Sequence, residues 1–341
     1  MRYVKLGWSG VKVSQICLGT WHLPPLREKD EYGVYKVDVE ETRRIIKRAI
    51  DLGINFIDTA NVYHGTMSGP DYIHAGNAER ILGDILKGYD RESLVIATKV
   101  RWRMAPWPNG EGLSRKHIRW QIRESLKRLG TSYVDLYQIH WPDPDTPKIE
   151  TLRALNELIE WGLVNYIGES NHPAHDIVEF MELAERYNLE PFTTMQEIYN
   201  ILVRDIERDK IPVAKRYGMA ILAYSPLAQG VLTGKYVDFN NRKWITPSDS
   251  RAAISSGLQG YFNDRNLRVL LELNEIAKSK GATLSQVSLA WLIGMQERLG
   301  VTIIPIIGVT RMEQLEDNLG SLNVKLSQDD FNRIEEALKA Q

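Results

Sequence analysis

The chain has 341 residues, with 43 Lys and Arg against 44 Asp and Glu and a formal net charge of −1 at pH 7. This balance, without a long basic or acidic run, argues against nucleic-acid or membrane-surface partners. The single cysteine, Cys17, cannot form an intramolecular disulfide and does not indicate a metal site. We therefore expect no metal and a reducing, cytoplasmic setting. The sequence contains no run apolar enough for a signal peptide or a membrane span.

Residues 1–14 alternate around Gly7 and Gly10, which predicts a short hairpin that caps the fold. Residues 23–37 are predicted to be a polar loop, and residues 225–263 a long irregular insertion. The buried strands are near-continuous apolar runs, which is typical of a parallel sheet covered on both faces. They are predicted at 16–19, 55–58, 94–97, 133–139, 163–167, 191–195, 219–223 and 301–304.

Between the strands, apolar residues recur at helical spacing, and most helices end near a glycine. Capping boxes begin the helices at Asp38 and Thr310, while Thr146 and Pro147 begin the fourth helix as N-cap and first residue. The predicted helices span 38–52, 77–87, 114–129, 146–161, 173–188, 205–217, 264–279, 283–298, 310–319 and 328–339.

Eight buried strands in strict alternation with helices indicate an α/β fold. At this length they favour a closed (β/α)8 barrel, with an N-terminal hairpin cap and extra C-terminal helices, as one domain over residues 1–341. No G-x-G-x-x-G motif follows the first strand, so a Rossmann fold loses its main support.

In such barrels the active site lies at the carboxyl ends of the strands. Each polar residue there has an ordinary structural explanation, because a lysine can be solvated, an aspartate can form a turn and a histidine can be satisfied in the core. An acid, a lysine and a histidine on successive strands, with a tyrosine in a loop, are harder to explain in that way. The strand-end residues are Trp21, His22, Asp58, Lys99, His140, Ser170, Asn171, Gln196 and Tyr224, and the loop tyrosine is Tyr63.

A free tyrosine has a pKa of about 10, which is high for proton transfer at neutral pH. The Lys99 ammonium is expected to lower the pKa of Tyr63, and Asp58 to hold the lysine charged and oriented. A histidine such as His140 can orient a carbonyl oxygen. The group therefore suits proton donation to a carbonyl oxygen while a hydride, supplied by a nicotinamide, reaches the carbon.

Longer motifs across nearly the whole chain resemble those of the aldo-keto reductases. The resemblance implies that Tyr63 is the general acid/base, that Lys99 and Asp58 tune it, and that His140 orients the carbonyl. Segment 225–236 is similar to the longer-chain branch of bacterial-type and potassium-channel β-subunit-like members. The motifs are Leu18–Trp21, Phe56–Ala60 with Tyr63, Asn77–Glu79, Ala97–Lys99, Asp135–His140, Gly168–Asn171 and Ala223–Leu227.

The resemblance also implies NADPH as the cofactor. Tyr224 would stack on the nicotinamide, although it can equally be a core aromatic, and Ser170 and Asn171 can equally cap a helix. A cation at position 311 opposes the helix dipole unless an anion binds there, as the adenosine 2′-phosphate does in the family. The predicted cofactor residues are Gly19, Thr20, Trp21, Asp58, Ser170, Asn171, Gln196, Tyr224, Ser225, Pro226, Leu227, Gln229, Gly230, Lys235, Gly308, Thr310, Arg311, Gln314, Asp317 and Asn318.

An aromatic wall around the carbonyl favours apolar or aromatic aldehydes and ketones. Trp102 and Trp107, in the loop after Lys99, each either add to this wall or pack on a neighbouring helix. The predicted lining residues are Trp21, Tyr63, Trp102, His140 and Trp141. The sequence departs from the family at Glu169, where an aliphatic residue is usual, and in the extra residues 66–76. We expect those residues to form a flap over the substrate, a surface hairpin or an oligomer contact, and segment 225–263 to form a belt over the cofactor.

The leading hypothesis is an NADPH-dependent oxidoreductase that reduces a small-molecule aldehyde or ketone. The first alternative is a nicotinamide-nucleotide-binding regulatory subunit with little turnover. The second is an unrelated barrel enzyme such as an isomerase. The sequence predicts neither the physiological substrate nor the oligomeric state.

Overall fold

The computed structural model describes residues 1–66, 72–247 and 256–339. Its strands are β1 (Tyr3–Lys5), β2 (Lys12–Ser14), β3 (Cys17–Gly19), β4 (Pro25–Lys29), β5 (Tyr35–Val37), β6 (Phe56–Asp58), β7 (Val95–Val100), β8 (Val134–Ile139), β9 (Val164–Ser170), β10 (Thr194–Ile198), β11 (Ala220–Tyr224), β12 (Val237–Asp238), β13 (Lys243–Trp244) and β14 (Ile303–Gly308). Eight of these strands close a parallel barrel in the order β3-β6-β7-β8-β9-β10-β11-β14. The predicted (β/α)8 fold is confirmed.

Helices connect the barrel strands and cover its outer face. They are α1 (Val39–Asp51), α2 (Asn77–Leu86), α3 (Arg115–Leu129), α4 (Lys148–Glu160), α5 (Ala174–Tyr187), α6 (Ile206–Tyr217), α7 (Ser256–Gln259), α8 (Asp264–Lys280), α9 (Leu284–Leu299), α10 (Met312–Gly320) and α11 (Gln328–Lys339). The last of these packs on α8, where Arg333 Nε lies 2.6 Å from Glu272 Oε1. No helix in the described ranges is both long and apolar enough to cross a membrane.

Of the three helix starts predicted from capping residues, one is confirmed. The Asp38 carboxylate accepts a hydrogen bond from the backbone N–H of Glu41 and caps α1, as expected. Helix α4 begins one residue later than predicted, with Pro147 as its N-cap. The predicted Thr310 capping box does not form, because Arg311 is the N-cap of α10 and makes no side-chain capping bond.

Two antiparallel hairpins flank the barrel. Strands β1 and β2 form the predicted cap at the amino ends of the barrel strands, where Trp8 Nε1 donates to Phe192 O at 3.0 Å. A side chain at Gly7 would meet Thr193 O at 2.2 Å, so only glycine permits this close approach. The polar loop predicted at 23–37 is wrong in part, because β4 and β5 pair there as a second hairpin.

Segment 225–263 is less irregular than predicted. It contains a 3-10 helix at 228–233, the hairpin β12–β13 and α7. Phe262 stacks on Trp244 with ring centroids 4.6 Å apart, and both rings pack against the core. Positions 248–255 of this segment lie outside the described residues. The same holds for positions 67–71, which belong to the extra residues 66–76.

Candidate active site

In three neighbouring strands, the side chains that face the barrel interior change from apolar to polar near the carboxyl end. Successive side chains of a strand point to opposite faces, so residues two apart share the interior face. An apolar residue of the buried interior cluster is therefore followed, two positions later, by a polar one. The pairs are Phe56 and Asp58 in β6, Ala97 and Lys99 in β7, and Leu136 and Gln138 in β8.

The Lys99 ammonium is the centre of the polar layer, and its side chain is fully buried. Its Nζ donates to Asp58 Oδ1 at 2.5 Å, to Thr59 O at 2.9 Å and to Tyr63 Oη at 3.1 Å. An ammonium has three N–H groups, so all of its donors are used. Because the phenolic oxygen accepts from Lys99, the proton of the Tyr63 hydroxyl must point away from the lysine.

The second carboxylate oxygen of Asp58 is held by two amides. Gln196 Nε2 and Gln138 Nε2 donate to Asp58 Oδ2 at 2.9 and 3.2 Å. Gln196 was predicted to bind the cofactor, and in the structure its Nε2 is directed at Asp58. Sequence reasoning assigned no role to Gln138, although its position two residues before His140 places it on the interior face.

Burial and charge move the pKa values of this group in ways that the sequence does not reveal. Burial alone would lower the pKa of Lys99, but Asp58 and Tyr63 outweigh it and raise that pKa, so the ammonium stays charged. The expectation of a lowered Tyr63 pKa is wrong. Burial raises the pKa of the phenol, the Asp58 charge raises it further, and Lys99 offsets only part of this. Tyr63 is therefore protonated at neutral pH.

His140 lies beside the phenol, with ring centroids 5.6 Å apart in an edge-to-face arrangement. Burial, with the nearby Lys99 and Arg101 charges, lowers the pKa of His140 well below its usual value, so its ring is neutral. Its buried Nδ1 has no hydrogen-bond partner among the described atoms. A neutral ring with an unpaired polar atom at the mouth of the barrel is suited to meet a polar ligand.

Ser170, Asn171 and Tyr224 form one hydrogen-bonded chain across the strand ends. Tyr224 Oη donates to Asn171 Oδ1 at 2.9 Å, and Asn171 Nδ2 donates to Ser170 Oγ at 2.8 Å and to His140 O at 3.2 Å. Asn171 adopts φ +65°, a left-handed conformation that asparagine tolerates better than most residues. The chain links β9, β11 and the His140 backbone, so it holds these strand ends in a fixed arrangement.

The loop after β11 is strained. Ser225, Ala228 and Gln229 have φ values of +51°, +48° and +56°, in the left-handed region. Each such residue costs about 1–3 kcal/mol and is often found at ligand sites. Gly230 follows with φ +96°, and a side chain added there would meet Lys235 Nζ at 3.1 Å. The loop therefore keeps its backbone close to a lysine.

The other predicted cofactor residues of this side lie at strand ends or in the loops that follow. Thr20 is buried, and its N and Oγ1 both approach Asp58 O, at 2.9 and 3.2 Å. Gly19 ends β3, where a side chain would meet Ile306 Cγ2 at 2.7 Å. Pro226 and Leu227 lie in the loop after β11, and Gly308 ends β14. Asn318 lies in α10, and both it and Pro226 are buried.

The N-terminus of α10 presents an exposed arginine. No hydrogen bond or ion pair within the described part of the chain engages the Arg311 guanidinium. Gln314 Oε1 accepts from Thr310 N at 2.8 Å and from its hydroxyl at 3.2 Å, which closes the first turn. Asp317 was predicted among the cofactor residues, yet its Oδ1 accepts from Thr283 Oγ1 at 2.9 Å and ties α10 to α9.

Three tryptophans surround the phenol and the imidazole. Trp21, which is 46% exposed, meets Tyr63 edge-to-face with centroids 4.8 Å apart. Trp102 lies 6.1 Å from the His140 ring and 5.9 Å from Trp141. Trp107 instead packs on Trp120 of α3, at 5.9 Å, which is the helix-packing alternative for that residue.

Glu169 does not point into the barrel mouth but is packed away behind it. It is fully buried, and its Oε2 accepts from His172 N at 3.2 Å. Glu197, also buried, lies 2.6 Å from Lys210 Nζ. Burial and the neighbouring Glu169 charge raise the pKa of Glu197 to about 8, against the opposing effect of Lys210. The family departure at position 169 therefore adds a second acid to a buried pair outside the barrel interior.

A closed (β/α)8 barrel with a lysine, aspartate, tyrosine and histidine at its mouth matches a class of oxidoreductases. Residues 15–339 match the sequence model of the aldo/keto reductase family, and the chain belongs to that family. It is therefore a member of a family whose chemistry is carbonyl reduction.

The chain is similar to a channel subunit and to reductases. A probable voltage-gated potassium channel β subunit of Arabidopsis thaliana is 37% identical over 334 residues, which cover 95% of this chain and 92% of the relative. The L-glyceraldehyde 3-phosphate reductase of Escherichia coli (strain K12) is 33% identical over 332 residues, covering 95% and 88%. The versiconal hemiacetal acetate reductase of Aspergillus parasiticus is 30% identical over 359 residues, covering 98% and 96%.

Proposed function

We propose that the protein is an NADPH-dependent reductase of aldehydes or ketones and that Tyr63 donates the proton. The observation that carries this proposal is the Lys99 ammonium, which donates to both Asp58 and the Tyr63 oxygen. This contact directs the phenolic proton away from the lysine. A raised pKa keeps that proton in place at neutral pH.

Each member of the group has one task in this proposal. Tyr63 transfers its proton to the carbonyl oxygen, and Lys99 stabilises the phenolate that remains. Asp58, held by Gln138 and Gln196, keeps Lys99 charged and fixed. His140 is neutral and orients the carbonyl oxygen. A bound reduced nicotinamide supplies the hydride.

The residues around the barrel mouth fit a nicotinamide nucleotide. Ser170 and Asn171 already form one polar chain with Tyr224, whose ring is partly exposed. The strained loop at 225–229 and the nearby Lys235 suit the pyrophosphate, as backbone N–H groups and cations bind phosphates. Arg311 at the N-terminus of α10 suits the adenosine 2′-phosphate, which favours NADPH over NADH.

The tryptophans beside Tyr63 and His140 indicate which carbonyl compounds the site would accept. Trp21, Trp102 and Trp141 are aromatic and partly exposed beside the Tyr63 and His140 rings. Such a wall favours apolar or aromatic carbonyl compounds, and aryl aldehydes are the first compounds to test.

The test is NADPH oxidation, followed at 340 nm, with a panel of aryl and alkyl aldehydes. Tyr63→Phe should lower kcat by about 10²–10⁴-fold, because it removes the proton donor. Tyr137→Phe is the matched control, since Tyr137 is a fully buried barrel tyrosine whose hydroxyl has no partner among the described residues. Equal rates for wild type and Tyr63→Phe would refute the proposal, and so would an equal loss in both variants.

The likeness to channel β subunits supports a second candidate, a cofactor-binding regulatory subunit with little turnover. This candidate predicts tight NADPH binding, measured by quenching of tryptophan fluorescence, without steady NADPH oxidation on any carbonyl of the panel. Steady turnover that Tyr63→Phe abolishes excludes it. A failure to bind any nicotinamide nucleotide excludes both candidates.

A further inference from the structure

Two histidines and an aspartate meet beside the Tyr63 loop. Asp30 lies in the turn between β4 and β5, His64 directly follows Tyr63, and His74 lies just before α2. One potential ligand atom from each of Asp30, His64 and His74 lies within 4.8 Å of the other two. We call this group the Asp30–His64–His74 cluster, and no part of the carbonyl-reduction chemistry above uses it.

The carboxylate of the cluster is already positioned. Asp30 Oδ1 accepts from Tyr32 N and Val34 N, both at 2.9 Å, so the hairpin turn fixes the side chain. Its Oδ2 faces His74 Nε2 at 2.6 Å. The aspartate therefore presents one oxygen to the histidines while its other oxygen is held by the backbone.

The His64 ring is oriented in the manner of a metal ligand. The Thr66 hydroxyl donates its only proton to Tyr35 O at 2.8 Å. The hydroxyl oxygen also lies 2.7 Å from His64 Nδ1, and with its proton already donated it can only accept a hydrogen bond from that nitrogen. Nδ1 therefore carries a proton, so in the neutral ring Nε2 holds the lone pair and is the atom that can bind a metal. Metal-bound histidines are commonly oriented by such a hydrogen bond from the ring nitrogen that does not bind the metal.

We propose that the Asp30–His64–His74 cluster is a binding site for one divalent transition-metal ion of the zinc type. Two imidazoles and one carboxylate suit this class of ion, with water as the remaining ligand. Tetrahedral ligand atoms around zinc lie about 3.3 Å apart, given bonds of about 2.0–2.1 Å. The 2.6 Å contact between Asp30 and His74 must therefore open by a fraction of an ångström, which a side-chain rotation provides.

The ion would join three separate segments next to the proton donor. Asn77 Nδ2, at the start of α2, donates to His64 O at 2.9 Å, and Ala78 N donates to Tyr63 O at 3.0 Å. The β4–β5 hairpin contributes Asp30. Binding would therefore fasten the hairpin, the Tyr63 loop and the start of α2 to one another, which is a structural role.

The competing explanation is a simple Asp30–His74 hydrogen bond that holds the hairpin without a metal. His64→Ala separates the two explanations, because it removes a metal ligand and leaves that hydrogen bond in place. Thr66→Val is a milder variant, because it keeps all three ligands and removes the bond that orients His64 together with the bond from Thr66 to Tyr35 O. His175→Gln is the matched control, since His175 also lies beside an aspartate, 3.5 Å from Asp176 Oδ1, but is 82% exposed on α5.

The experiment titrates chelator-treated, full-length protein with Co²⁺, follows the visible absorption of the bound ion and then displaces it with Zn²⁺. We expect one equivalent to bind to wild type and to His175→Gln. Thr66→Val should bind at least about tenfold more weakly, and His64→Ala more weakly still. Zn²⁺ should raise the Tm of wild type and of His175→Gln but not that of His64→Ala.

The proposal is overturned if wild type binds Co²⁺ no more tightly than His64→Ala, or if His175→Gln loses binding equally. Circular dichroism identifies a variant that fails to fold. In that case Thr66→Val decides the question, and wild-type affinity in that variant counts against the site. The readout is metal binding, so the outcome does not depend on whether the protein reduces carbonyls.

Discussion

The buried ion pair between Lys99 and Asp58 should make Asp58→Asn costly for both stability and catalysis. The two side chains are fully or almost fully buried, and the remaining acceptors of Lys99, Thr59 O and Tyr63 Oη, are uncharged. Removing one partner of such a pair costs about 3–5 kcal/mol, because the other charge remains buried without compensation. For 341 residues the unfolding entropy is about 0.7 kcal/mol/K, so Tm should fall by about 4–7 °C.

The assay is thermal unfolding of four proteins, together with their rates of NADPH oxidation. The double variant Asp58→Asn/Lys99→Met replaces the pair by neutral groups, so we expect it to recover part of the lost Tm without recovering activity. Asp135→Asn is the control. Asp135 Oδ2 lies 2.6 Å from an Arg91 nitrogen, and this ion pair is not part of the candidate site. It should lose stability but keep the wild-type rate.

Two results would refute this reasoning. If Asp58→Asn unfolded at the wild-type temperature, Lys99 would not depend on the carboxylate for its charge. If the double variant were less stable than Asp58→Asn by the full cost of a second deletion, the two residues would act independently. The pH profile gives a further check, because Asp58 raises the pKa of Tyr63. Where Asp58→Asn retains measurable alcohol oxidation, its optimum should move to lower pH.

Three further predictions concern the rest of the molecule. Arg311→Ala should raise the KM for NADPH by about 10–100-fold and leave that for NADH nearly unchanged, as a lost charge-assisted bond is worth about 1.5–3 kcal/mol; equal KM values for NADPH in wild type and variant would disprove the 2′-phosphate assignment. Trp102→Ala should raise the KM for aryl aldehydes, whereas Trp107→Ala, which only loses packing on Trp120, should not. The pKa of Glu197 is about 8 in the folded protein, against 4.5 for an ordinary glutamate. Between these two pH values the folded state therefore binds one proton that the unfolded state has released. Wild type should therefore lose Tm relative to Glu197→Gln as pH rises from about 5 to 8, and parallel Tm profiles would contradict that pKa.

Much of the barrel could be predicted because its strands are near-continuous apolar runs that alternate strictly with helices. The second hairpin could not, since β4 is exposed along its whole length and reads Pro-Leu-Arg-Glu-Lys, without the alternation that marks a half-buried strand. The Thr310 cap failed for a related reason. The sequence contains both Glu313 and Gln314 in the first turn, and only the structure shows that Gln314 takes the Thr310 donors.

The candidate site shows the same division. The ends of the strands can be read from the sequence, so Asp58, Lys99 and His140 were predicted to lie together, with Tyr63 in the loop after Asp58. Of the two amides that hold Asp58, Gln138 was not predicted, because it lies inside β8 and not at its end, and Gln196 was predicted as a cofactor residue and not as a partner of Asp58. The expectation of no metal rested on the single cysteine. It did not weigh Asp30, His64 and His74, which are far apart in sequence and meet only when the hairpin folds against the Tyr63 loop.

The direction of the Tyr63 pKa has a consequence for the reaction itself. Lysine proximity suggests a phenol that ionises easily, but the opposing effects of burial and of Asp58 are the stronger ones here. At neutral pH Tyr63 therefore keeps its phenolic proton, and the His140 ring is neutral. This state is the one that proton donation requires, so reduction needs no prior ionisation step at neutral pH. Alcohol oxidation needs the phenolate, which forms only at higher pH, so the ratio of reduction to oxidation should fall as pH rises.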